Sequence, residues 1–338
     1  MHALPTARTL DPREAPSLRW GILGTGWIAE KFTTALRRHT TQRIQAVGSR
    51  TKQSADRFAA AAGAHAAYGS YEALVADPEV DIVYVATPHN HHHRHALLAI
   101  EAGNHVLVEK PIAISEPEAR QIAAAAQEAG VFCMEALWTL FLPKYDVLGQ
   151  LLADVRLDTV LADMGEYFTP DHRIFRADLA GGPLYDMATY PLSIAMWALG
   201  SPETIAAVGT PAPNGVNGQL GMMLTGADGG VAVLHSSIIG ETPTTATFAS
   251  LDQTVTVDGA FYQPGGFTVT TRTGESLRYD EPRVAHEGGL HFQAADVARR
   301  IVAGETQSPI RPLADSVRLL RVMDAIRAQV GIPLPPTP

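Results

Sequence analysis

Short apolar runs and helix-period segments take turns along the first part of the chain. Strand-length runs lie at Leu18–Leu23, Ile44–Val47, Ile82–Ala86, His105–Val108 and Val131–Met134. Between them, Ile28–Leu36, Lys52–Ala62, His92–Ala102 and Glu116–Ala129 place apolar residues on one helical face. This alternation predicts a parallel sheet with helices on both faces. From Thr159 the period shortens to that of strands. Segments of that kind are Thr159–Phe168, Thr204–Val208, Gly218–Thr225, Val231–Ile239, Thr244–Ala249, Thr254–Val257 and Phe267–Arg272. Gly226-Ala227-Asp228-Gly229-Gly230 reads as a hairpin loop joining two of them. They predict an antiparallel or mixed sheet, interrupted by helices at Pro191–Leu199 and His291–Ala303. A last helix, Ala314–Val330, is stopped by Gly331, with Pro333 beyond. The fold class is α/β: a doubly wound parallel sheet first, then a second α/β domain.

The 338 residues are enough for two domains with cores of their own. The expected division is a flexible tail at 1–17, a first domain at 18–134, a second at 135–331 and a Pro-rich tail at 332–338. A formal net charge of −9 argues against nucleic acid or an anionic membrane as partner. No apolar run reaches transmembrane length. Met1 to Ser17 lacks the apolar stretch of a signal peptide. Cys133 is the single cysteine, so no internal disulfide forms, which suits a reducing, cytoplasmic compartment. Flanked by Val131-Phe132 and Met134-Glu135, it reads as a small packed hydrophobe.

The first strand runs into Gly24-Thr25-Gly26-Trp27-Ile28-Ala29 and then a helix. Gly24 permits the tight turn, Gly26 lets a pyrophosphate approach the backbone, and Ala29 allows close helix–strand packing. The helix N-terminus then faces the anion. This is the fingerprint of a Rossmann dinucleotide site. At the end of the second strand an acid would bind the ribose 2′-OH of NAD, whereas a cation suits a 2′-phosphate. Ser49, Arg50 and Lys52 stand there without an acid, so the reading is NADP(H) rather than NAD(H). The plain alternative is a solvated turn opening the next helix. Ligands of such sheets bind at the strands' carboxyl ends. The loops Thr87–His92, Glu109–Pro111 and Glu135–Trp138 therefore join the candidate site, with Thr87, Pro88, His92, Glu109 and Lys110 as further cofactor contacts.

Lys110 at a strand end can bind a substrate hydroxyl and favour the ionised form of a nearby acid/base; a surface turn at Glu109-Lys110-Pro111 is the alternative. Asp186 and Tyr190 are four apart and would share one face of a helix, although Pro191 implies a kink or a fresh helix start. Tyr190 is the candidate proton donor or acceptor, Asp186 its companion; a packed tyrosine and a capping Asp are the alternative. His89, His91, His92, His93 and His95 are too crowded for a metal tract. His91 and His93 read as solvated, His92 as packed at a helix start, and His89 as a substrate contact. Trp138 reads either as a stacking surface for a ring or as an aromatic plug. The loops Phe168–Arg176 and Phe261–Gly266 are expected to set specificity.

Taken in this order, these segments resemble the glucose–fructose oxidoreductase/inositol dehydrogenase/rhizopine catabolism (Gfo/Idh/MocA) family, from about Leu18 to Gly331. Gly24–Ala29, Met134–Thr139 and Asp186–Tyr190 are similar to a subgroup containing NADP-dependent D-xylose dehydrogenases and trans-1,2-dihydrobenzene-1,2-diol dehydrogenases. Many other members carry His where Tyr190 stands. The resemblance implies a Rossmann domain, a second domain with a large, open, mostly antiparallel sheet, and a homodimer formed through that sheet. It also implies Lys110 and Tyr190 as catalytic with Asp186 beside them, and His89, Trp138 and Phe168 at the substrate. Leu140 stands where Arg is frequent, His291-Phe292-Gln293 where a Tyr-x-Glu-like pattern is usual, and Gln307-Ser308 where Glu-Ser is common. The expected activity is reversible hydride transfer between NADP(H) and a CH–OH group of a sugar-like or cyclic diol substrate. Alternatives are a keto-sugar reductase of the 1,5-anhydrofructose type, an NAD-dependent glycoside-cleaving enzyme and a non-catalytic dinucleotide sensor.

Overall fold

In the computed structural model, which describes residues 3–212, 215–282 and 286–334, the first apolar run forms β1 (Arg19–Leu23) and leads into α1 (Trp27–His39). Next come β2 (Arg43–Gly48), α2 (Lys52–Ala62), β3 (Ala66–Tyr68), α3 (Tyr71–Val75), β4 (Ile82–Val85), α4 (His92–Glu101), β5 (His105–Glu109), α5 (Glu116–Ala129) and β6 (Cys133–Ala136). The strands form one parallel sheet in the order β3-β2-β1-β4-β5-β6. The order reverses between β1 and β4, the switch point at which such sheets bind ligands. The core explains why these runs are apolar throughout. Every β4 residue is buried, and Phe32 of α1 lies between Trp20 (5.3 Å, edge-on) and Tyr84 (3.9 Å, stacked).

The chain continues through α6 (Pro143–Leu152), β7 (Thr159–Gly165), α7 (Pro183–Asp186), α8 (Thr189–Leu199), β8 (Pro202–Pro211), β9 (Asn217–Gly226) and β10 (Val231–Ser237). It ends with β11 (Ala246–Ala249), β12 (Gln253–Val257), β13 (Phe267–Thr271), β14 (Ser276–Tyr279), α9 (Leu290–Val302) and α10 (Leu313–Val330). The second sheet runs β14-β13-β12-β11-β7-β10-β9-β8. Only β7 and β10 pair in parallel; the remaining pairs are antiparallel. The period-two pattern is visible in burial, since Val160 and Ala162 of β7 are buried and Leu161 is exposed. Four elements lack the expected patterns. β3 is an edge strand of three residues, β14 an exposed edge strand, α3 a single short turn of helix, and α6 starts on Pro143 and contains Gly149. Gly331 closes α10 with φ +70°.

Two compact units result. One holds residues 10–141 and 286–317 with the parallel sheet, α9 and the start of α10. The other holds residues 3–9, 142–282 and 318–334 with the antiparallel sheet. The segment read as a flexible tail is tied down on both sides of Thr9. Arg8 grips Asp146 through its backbone N–H (2.6 Å) and guanidinium (2.7 Å). In the other unit, Pro12–Glu14 forms a 3-10 turn, Ala15 is buried, and Ser17 Oγ donates to the Thr41 carbonyl at 2.7 Å. These partners lie far along the chain, so no local pattern announces them. Met1, His2 and Pro335–Pro338 of the two expected tails lie outside the described residues.

Candidate active site

The turn after β1 has the shape the glycines demand. Gly24 has φ +110°, and a Cβ there would stand 2.6 Å from the Ala86 carbonyl oxygen. Gly26 is the N-cap of α1 and offers no side-chain cap, so the first N–H groups of the helix stay available. A Cβ on Gly26 would meet nothing within 4 Å. This cradle fits a pyrophosphate, since backbone donors face open space at a helix N-terminus. Thr25 Oγ1 lies 3.5 Å from Ser49 Oγ at the end of β2, and Ile28 is half-buried behind the turn. Arg50 is exposed, and its charge helps hold the His91 imidazole below its ordinary pKa and opposes the rise that burial imposes on Tyr71. Lys52, by contrast, is engaged by Asp56 one turn further along α2. The two cations read from the sequence therefore differ: among the described residues Arg50 forms no ion pair, whereas Lys52 is engaged by Asp56.

The loops after β4 and β5 meet at His92, whose neutral ring has one N–H to donate to one or the other. Its Nδ1 lies 2.7 Å from the Pro111 carbonyl oxygen and its Nε2 2.7 Å from that of Thr87. Burial pushes this imidazole down to about 4, against the pull of the two carbonyls. Thr87 Oγ1 lies 3.0 Å from His95 Nδ1. Pro88 caps the 3-10 turn His89–His91, and His89 is buried with its ring 5.7 Å from that of His92. His91 is not simply solvated: it is half-buried and stacks on His95 at 5.4 Å, and His93 is half-buried too. Glu109 is enclosed, bonded to the Tyr84 hydroxyl, and accepts the Lys110 N–H at 3.1 Å. Burial raises its carboxyl to about 7. Lys110 follows, half-buried, at the end of β5. Glu135 is not in a loop but inside β6.

Trp138 is 1 % exposed, and its ring lies 5.3 Å from that of His286. His286 meets Trp27 edge-on from the other side at 4.9 Å. Burial, with the charges of Lys110 and Lys31, holds His286 down at about 4. Its neighbour Glu287 pairs with Lys31 (2.7 Å) and Arg38 (2.6 Å) of α1. Nothing in the sequence flags His286, because it lies more than a hundred residues from both tryptophans. Among the described residues no group of three or more His, Cys, Asp or Glu is placed to hold a metal ion.

The other unit carries Asp186, Tyr190 and Phe168. Asp186 ends α7, and Tyr190 is the second residue of α8, so the two do not share one helix. Pro191 sits in the first turn of α8, where its missing N–H has no partner to lose. Asp186 pairs with Arg173 at 3.3 Å, an arginine of the loop opened by Phe168 that sequence reasoning passed over. The buried Tyr190 ring lies 4.8 Å from Tyr262, and Phe168 stacks on His172 at 4.7 Å. Asp186 and Glu241 add to the burial that raises Glu166 above the ordinary carboxylate range.

A doubly wound sheet with this glycine turn defines a dinucleotide-binding domain of the Rossmann class. Residues 18–137 match the model of the oxidoreductase family with an NAD-binding Rossmann fold, and residues 155–260 that of the GFO/IDH/MocA C-terminal domain. The chain belongs to the Gfo/Idh/MocA family of oxidoreductases. It is 33 % identical over 329 residues to a trans-1,2-dihydrobenzene-1,2-diol dehydrogenase of Danio rerio, covering 94 % of this chain and 98 % of that one. It is 31 % identical to a D-xylose 1-dehydrogenase (NADP(+)) of Hypocrea jecorina, covering 94 % and 93 %. A 3-ketoreductase of Actinomadura kijaniata, solved with NADP, shares the fold with a TM-score of 0.83 at 24 % identity, covering 93 % of this chain and 98 % of that one.

Proposed function

We propose that the chain moves hydride between NADP(H) and a carbinol carbon of a sugar-like or cyclic diol substrate. The observation that carries this reading is the Gly26 cradle, an open helix N-terminus with Ser49 and Arg50, which forms no ion pair among the described residues, at the end of the next strand. Gly24 to Ile28, Ser49 and Arg50 would hold the cofactor, with Thr87, Pro88, His92 and Glu109 shaping the neighbouring loops. When bound, NADP+ supplies the hydride acceptor. Tyr190, as its phenolate, would take the hydroxyl proton as the C–H bond breaks, and Lys110 would favour that ionised form and stabilise the substrate oxygen as it gains negative charge. Asp186, steadied by Arg173, orients the substrate. The substrate class is supported by relatives named for a dihydrodiol and for D-xylose.

The open face of the second sheet supports a homodimer. Val233 pairs in register with Leu161 and Met223, and these three side chains, with Val208, are exposed and apolar.

The test is absorbance at 340 nm with NADP and NAD against D-xylose, D-glucose, inositol, a trans-1,2-dihydrodiol and a keto-sugar. The expected result is NADP-linked turnover of at least one sugar or diol, lost by about 10²–10⁴-fold in Lys110→Ala with NADP binding retained. No turnover with any of them, or full activity in Lys110→Ala, contradicts the reading.

A further inference from the structure

Glu135 is fully enclosed inside β6, where a strand residue would ordinarily be apolar. Its Oε2 accepts from Arg311 Nε at 2.9 Å, from Arg311 Nη2 at 2.5 Å and from Ser316 Oγ at 2.7 Å. Its Oε1 accepts the backbone N–H of Ile112 at 2.9 Å. Arg311 and Ser316 are buried as well. All four residues belong to the unit with the parallel sheet.

A buried ion pair is a poor source of stability, because desolvation offsets most of the attraction and apolar residues of similar size do as well. One backbone N–H at Ile112 would be satisfied by any neutral oxygen. What the pair supplies is a fixed acceptor. Three donors converge on Oε2, so the carboxylate has one orientation, and the bond from Ile112 is charge-assisted. Ile112 is two residues beyond Lys110. The carbonyl oxygen of the intervening Pro111 lies 2.7 Å from His92 Nδ1, and Glu109 before it is bonded to Tyr84. Glu135 thus binds the same short loop, and it also reaches Arg311 of the segment between α9 and α10. That segment is anchored beside β6, where Cys133 N donates to the Thr306 carbonyl at 3.1 Å, and is closed on itself where Leu313 N donates to Gln307 Oε1 at 3.0 Å.

We propose that Arg311, with Ser316, is a positioning residue for Lys110, acting through Glu135 and the Ile112 N–H; this rests on the reading that Lys110 assists hydride transfer. Loss of the clamp lets the loop shift, and a shift on the order of 1 Å at a reacting group costs up to about 10²-fold in rate.

The test compares the full-length wild type with Glu135→Gln/Arg311→Met, Arg311→Lys, Ser316→Ala and Lys110→Ala. The double variant replaces the ion pair by neutral groups of similar size and is expected to fold. It should keep its dissociation constant for NADP(H) within about twofold and its substrate KM within about threefold, while kcat falls about 10- to 100-fold. Arg311→Lys, which keeps a donor, should recover part of that loss. Ser316→Ala removes one of three donors to Oε2 and should lower kcat about 3- to 10-fold with cofactor binding unchanged. It decides the matter if the double variant does not fold. Wild-type kcat in either folded variant, beside an inactive Lys110→Ala, overturns the proposal alone. Parallel losses in cofactor binding, KM and kcat also overturn it, since they mark a merely structural pair. Wild-type turnover in Lys110→Ala overturns the underlying reading of the lysine instead.

Discussion

At Gly26 the protein itself leaves room that it does not use. A Cβ there touches nothing within 4 Å, and the backbone (φ −84°, ψ 178°) suits any residue. Gly26→Ala is therefore expected to leave the melting temperature unchanged and to weaken NADP(H) at least about 10-fold, because only a ligand meets the added methyl. Calorimetric titration beside a thermal melt checks both halves, and unchanged affinity would remove the cradle from the account. Gly24 makes the contrast, since its φ of +110° and the 2.6 Å approach to the Ala86 carbonyl make it a folding requirement. At the next strand, Arg50→Ala should raise the dissociation constant of NADP by about 10-fold or more and leave NAD nearly unaffected. Lys52→Ala should do little, because Asp56 already neutralises that ammonium. The sequence places both cations at the same turn; only the i,i+4 partner on α2 separates them.

Among the elements, α4 and α9 with their flanking turns hold histidines that burial keeps neutral. His92 and His286 are held at about 4, His95 and His291 at about 3. An unfolded histidine titrates near about 6.5. The unfolded chain therefore takes up protons first as pH falls, so this stabilisation is complete above about 6.5 and is lost on the way down to about 4. For the enclosed His92 the slope is at most about 1.4 kcal/mol per pH unit. Glu109, raised to about 7, acts in the opposite sense, as do Glu166 and Glu281, but burial also lowers His39, His91 and His105, so the histidines prevail. The melting temperature should fall from pH 7 to pH 5, and a scan that is flat or rises over that range contradicts these burials. The first-half elements were legible because strands buried on both faces read as apolar runs; Lys52–Ala62 and Glu116–Ala129 appear with those bounds. β3 and β14 were not, because short edge strands bury too little to leave a pattern. The break between α7 and α8 was announced by Pro191, whereas His286, Arg173 and Arg311 reach their partners only through tertiary folding.

For the whole molecule, the exposed row Leu161, Val233 and Met223 gives the second sheet an apolar face that a second copy would cover. Light scattering after size exclusion should report a dimer for the wild type and a monomer for Val233→Glu; a monomeric wild type contradicts this part of the account. Each of the two units carries residues that the proposed chemistry needs, Lys110 in one and Tyr190 in the other. The central claim is that a hydride leaves the substrate's carbinol carbon for the cofactor. The most direct measurement uses a substrate turned over in the 340 nm panel, deuterated at the reacting carbon, with mass analysis of the NADPH formed. The account predicts NADPH heavier by about one mass unit and turnover slowed when the C–H bond is the one that breaks. Unlabelled NADPH, or consumption of substrate with no net reduced cofactor, would contradict it.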